Sequence, residues 1–103
     1  MRESNLDCLQ WIPVLCEEIH LYHDDRFGRW VMSGTNQVVF LNPASYEVVK
    51  LCDGNNSFGN ICEQLSDNGV FQAATVRRSV LNIIQDLETN GFILNRGSDS
   101  LQS

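Results

Sequence analysis

A chain of 103 residues is the size of one domain, and 43% apolar with 19% charged residues is enough to bury a core without disulfides or metal. The net charge of −6 argues against nucleic acid and anionic membrane as main partners, because both are held by basic residues. No apolar run reaches the roughly 18 residues of a membrane span, and residues 1–10 are charged where a signal peptide is apolar, so a cytoplasmic protein with reduced thiols is expected.

Residues 1–10 read as a flexible lead-in to a domain at 11–96. Over residues 16–23 the chain alternates, with Glu17, Ile19 and Leu21 on one face and Glu18, His20 and Tyr22 on the other. That period of two predicts a strand. Asp24, Asp25 and Gly28 then mark a turn, residues 29–32 a second strand, Gly34 and Asn36 another turn, and residues 37–41 a third strand. The expectation is a three-stranded antiparallel meander.

At Asn42-Pro43 the character changes. Asn is a favoured helix cap, and Pro is favoured at the first helical position, where its missing N–H would have no partner. A first helix is predicted over 43–52, stopping at Asp53-Gly54. Ser57 caps a second over 58–66, with Ile61, Cys62 and Leu65 as its buried stripe. A third spans 75–89 and ends at Asn90-Gly91, with Val76, Val80, Ile83 and Leu87 as the core line. Residues 92–94 form a short apolar return, and 97–103 a flexible tail. The fold class is α+β: a three-stranded antiparallel sheet followed by three helices, a winged helix-turn-helix-like arrangement.

Few residues suggest chemistry. Cys8, Cys16, Cys52 and Cys62 contain no C-x-x-C pair, and Cys52 and Cys62 read as small core hydrophobes. His20 and His23 fall on opposite faces of a strand and converge poorly on a metal. Trp30 reads as a sheet packing residue. No nucleophile–base pair or phosphate loop stands out, so neither catalysis, a metal nor a cofactor is expected.

One ordered set of fragments is distinctive: Val39-Phe40-Leu41-Asn42 with Ala44, then Leu51-Cys52-Asp53-Gly54, then Ile61 and Leu65, then Val76 and Val80, then Leu87 and Gly91-Phe92-Ile93. The set resembles the PqqD-like family of RiPP recognition elements, from about Trp11 to Asn95. Ser79 departs from it, standing where the family usually has Asp. The resemblance implies a non-catalytic domain that binds the leader of a ribosomally made precursor peptide and presents it to a modifying enzyme. That partner is often a radical SAM maturase, whose iron–sulfur clusters belong to the partner.

Peptide capture has a physical route here. An edge strand offers unpaired N–H and C=O groups that an extended peptide satisfies by adding a strand. Both outer strands of a meander are edges, and the resemblance selects the third: Gln37, Val38, Val39, Phe40 and Leu41. Arg77, Leu81, Ile84 and Glu88 lie along one flank of the third helix, with Arg78 beside them. This flank is expected to face the third strand as a groove wall, the arginines meeting acidic leader residues. The alternatives are another RiPP pathway (lasso peptide, cyclodehydratase or lanthipeptide) and a winged-helix DNA-binding domain, which Asp86 and Glu88 on the third helix disfavour. An open edge also permits a homodimer through strand pairing.

Overall fold

The computed structural model describes residues 10–96. The expected tail, Cys8, and all of the lead-in but Gln10 lie outside them. The order is β1 (Pro13–Leu15), β2 (His20–Asp24), β3 (Arg29–Ser33), β4 (Val38–Leu41), α1 (Pro43–Lys50), α2 (Phe58–Asp67), α3 (Val76–Thr89) and β5 (Ile93–Asn95). The α+β class and the β2-β3-β4 antiparallel meander stand as predicted.

Local chemistry starts the helices where the sequence indicates. The Asn42 side chain accepts from Ser45 N at 2.7 Å with Pro43 behind it, and Ser57 Oγ accepts from Asn60 N at 3.1 Å. Thr75 opens α3 without a side-chain cap bond. Gly91 takes φ +84° just past the Asn90 cap of α3, a conformation that costs other residues about 1 kcal/mol.

Three differences from expectation exceed a single residue at an element's end. The first meander strand begins at His20, not residue 16, because Cys16 N donates to the Phe92 carbonyl at 3.0 Å and Ile19 N donates to Cys16 O in a turn. α1 stops at Lys50, two residues early. Leu51 N and Cys52 N tighten onto the Val48 and Val49 carbonyls, which frees the Cys52 carbonyl to accept from Leu15 N at 3.1 Å.

The third difference is β1, which the sequence reading left unassigned. It pairs antiparallel with β5, Val14 opposite Leu94. Trp11 O accepts from Phe58 N and Ile12 O from Arg96 N, so this stretch ties α2 and the chain's return together. The expected apolar return is thus a strand with Ile93 turned inward and Leu94 outward.

The core joins the inner face of the meander (Met32, Leu41) to Val48 and Val49 of α1, Ile61 and Leu65 of α2, Val80, Ile84 and Leu87 of α3, and Phe92. Burial of side chains this size stabilises by about 1.5–3 kcal/mol each. Cys52 and Cys62 are buried in it as expected. Trp30 stacks on Tyr46 at 4.3 Å with 8° between ring planes, a packing role.

Candidate functional site

β4 pairs with β3 alone among the described residues, so its other side is a free edge. The register shows which backbone groups that edge offers. Gly34 N donates to the Gln37 carbonyl at 2.8 Å, and Ser33 then stands opposite Val38. In an antiparallel ladder this makes Ser33–Val38 and Val31–Phe40 the pairs without mutual hydrogen bonds, whose N–H and C=O point away from each other. Val38 and Phe40 therefore turn their peptide groups outward, and Val39 and Leu41 bond to β3.

Side chains divide the same way. Leu41 is buried and Val39 half-buried on the core side, whereas Val38 is 62% and Phe40 47% exposed on the other face. The unbroken apolar run of this strand is not a strand buried on both sides. One face feeds the core and the other meets solvent.

Gln37 is exposed and reaches across to α3, where its Nε2 donates to Asn90 O at 3.0 Å. This bond sets the start of β4 beside the C-terminal end of α3. Stepping back from Asn90 by one and two helical turns gives Asp86 and Ile83 on the same flank, with Ser79 beyond. Ile83 is half-buried, and together with Asn82 and Asp86 it lines an open depression of about 560 Å³.

The expected wall is not brought together on that side. Ile84 is 1% exposed and belongs to the core, while Ile83, assigned to the core line, is the half-open one. The two lie about 100° apart on the helix, and spacings of three and four residues both continue a line through Val80 and Leu87. Only the position of α1 and the sheet chooses between them. Arg77 is exposed beside Cys62 and Glu63 of α2, and Glu88 Oε1 accepts from Asn95 Nδ2 of β5 at 3.0 Å. That flank, with half-buried Leu81, faces α2 and β5 and not β4. Arg78 is exposed toward solvent.

The sequence reading also missed surface aromatics. Tyr22 and Phe27 are exposed on the meander along with Phe40, and Leu94 is exposed on β5. Tyr22 stands on the outer face because it pairs with Val31, which pairs with Phe40. The alternation of β2 carried that signal; the identity of its covered face did not follow from it.

No group of three or more His, Cys, Asp or Glu side chains converges on a metal-sized site among the described residues. Burial pushes the Cys52 thiol up to about 12, with Asp53 adding to it. Burial likewise pushes Cys62 up to about 11 against the lowering effect of Arg77. Such thiols are poor nucleophiles. Among the described residues no helix is long and apolar enough to cross a membrane.

Comparison with known proteins bears on this geometry. The family model for coenzyme PQQ synthesis protein D (PqqD) matches residues 21–93. A PqqA binding protein of Rhodopseudomonas palustris (strain CGA009) is 31% identical over 81 residues, 79% of each chain. A PqqA binding protein of Bradyrhizobium diazoefficiens is 28% identical over the same share of both chains. Among solved structures, the PqqD truncation of Methylobacterium extorquens PqqCD, a stand-alone RiPP recognition element, superposes with a TM-score of 0.68. It shares 21% identity, over 80% of this chain and 87% of that one, and speaks for the fold.

Proposed function

This chain belongs to the PqqD family, and from that premise we propose that it captures the leader segment of a ribosomally synthesised precursor peptide and presents it to a separate modifying enzyme. The observation that carries the reading is the free edge of β4, whose Val38 and Phe40 peptide groups face outward beside α3. A peptide added there gains backbone hydrogen bonds that ask little of its sequence, and side-chain docking on either face supplies the choice. The relatives named for PqqA binding support a peptide as the ligand.

The leader lies along Gln37, Val38, Val39, Phe40 and Leu41, with its inward side chains against Ile83 and the Asp86 flank of α3. Catalysis is left to the partner, a radical SAM maturase in this reading, and the chain itself needs no cofactor. It works in the cytoplasm, where precursor and maturase are made. The expected result is a saturable, micromolar or tighter anisotropy curve when the protein is titrated into the labelled synthetic leader encoded beside this gene. A flat curve with the protein folded by circular dichroism overturns the reading.

A further inference from the structure

The sheet face beside the free edge of β4 is aromatic and cationic, on a chain of net charge −6. Tyr22, Val31 and Phe40 form one cross-strand row on the side away from the core. Val31 is buried in its middle, while Tyr22 and Phe40 stay open to solvent on either side. From the β2–β3 turn, Phe27 sets its ring edge-on to Phe40 at 5.7 Å. The Arg29 guanidinium lies 5.6 Å from the centre of the same Phe40 ring. Asp24 stands opposite Arg29 in the register but lies 3.7 Å from Arg26, and among the described residues no carboxylate is within ion-pair distance of Arg29.

Two features of β4 coincide. Val38 and Phe40 turn their peptide groups to the free edge, and their side chains stand on this outer face. A strand bonded to those groups sets every second side chain on the same face, about 4.5–5.5 Å from Val38 or Phe40. The patch is therefore continuous with the path of the added strand and not a separate surface. Where β4 ends, a cleft of about 620 Å³ lined by Arg29, Trp30, Phe40, Tyr46 and Glu47 begins.

We infer that this outer face is a second reading surface for the captured peptide. It selects a segment with an aromatic or branched apolar side chain opposite Phe40. Two residues further toward the Asn42 end, that segment carries a carboxylate that pairs with Arg29. The inference rests on the strand-addition reading. It adds that the peptide is read on both faces, where a groove between β4 and α3 alone reads one.

The test titrates the labelled synthetic leader encoded beside this gene into wild type and four variants: Phe40→Thr, Phe27→Ser, Arg29→Gln and Val38→Pro. Phe40 and Phe27 are open to solvent and Thr keeps strand propensity, so these variants fold. The expected result is affinity about tenfold or more weaker for Phe40→Thr, and a smaller loss for Phe27→Ser. Arg29→Gln flattens the salt dependence seen with wild type. Val38→Pro removes an edge-facing N–H and reports strand addition itself. If Val38→Pro loses binding while the other three stay within about twofold of wild type, the second surface is overturned and strand addition stands. If wild type fails to bind, both fall together.

Discussion

The Gln37 side chain spans from the start of β4 to the last turn of α3, donating through Nε2 to the Asn90 carbonyl at 3.0 Å. The bond links the two elements proposed to flank the leader, and it does so at one end only. Asn90 is itself anchored, its Nδ2 donating to Asp86 O at 2.8 Å. β4 is thus tethered near Val38 while the rest of its edge stays open to an incoming strand.

Gln37→Ala removes that tether. Both partners are exposed, so the cost to global stability is about 0.5–1 kcal/mol in urea unfolding. The larger effect is local: amide hydrogen exchange at Val39 and Leu41, whose N–H groups bond to β3, quickens relative to β2. Unchanged exchange along β4 would show that the bond does not hold the strand in place.

Strand addition is tested by the backbone and not by a side chain. Val38→Pro takes away an N–H that faces the free edge and makes no bond to β3, so the fold survives and leader affinity drops by about tenfold or more. Val38→Thr keeps the N–H and the branched shape, and its affinity stays near wild type. Equal losses in the two variants would point to the side chain alone.

Neighbouring isoleucines on α3 should behave differently. Ile84→Ala empties a core position that is 1% exposed and costs about 2–5 kcal/mol, read as a fall in urea midpoint. Ile83→Ala costs less than half as much, and weakens leader binding in protein that remains folded. Comparable destabilisation by both would return Ile83 to the core.

The buried thiols give a pH dependence with a definite sign. Burial lifts Cys52 to about 12 and Cys62 to about 11 from an ordinary 9.0. The folded state therefore keeps protons that the unfolded state releases. Their contribution to stability is complete below pH 9 and is lost as pH climbs from there through 11 to 12. Replacing both by Ala flattens that part of the stability–pH curve. In a Cys8→Ser background, a thiol reagent modifies half-buried Cys16 first, and reaches Cys52 and Cys62 only on unfolding.

Much of this protein is local, and the sequence by itself determined those parts. Asn42-Pro43 and Ser57 start helices because a side-chain acceptor and a missing N–H act within one turn, and Asn90-Gly91 ends α3 because its positive φ suits glycine. The apolar alternation of the meander and the motif set from Val39 to Ile93 gave the strand order, the class and the family resemblance for the same reason. Tertiary structure decided what depends on partners distant in the chain. β1 is a strand only because β5, with Val14 opposite Leu94, comes back to meet it. Ile84 rather than Ile83 is core, because helical spacing allows either and the packing of α1 and the sheet against α3 chooses one. The Arg77–Glu88 flank faces α2 and β5, since Glu88 meets Asn95 and the opposite side of α3 meets Gln37. Each of these is a rotation or a pairing of near-equal local cost, settled by the energy of burying one face against another.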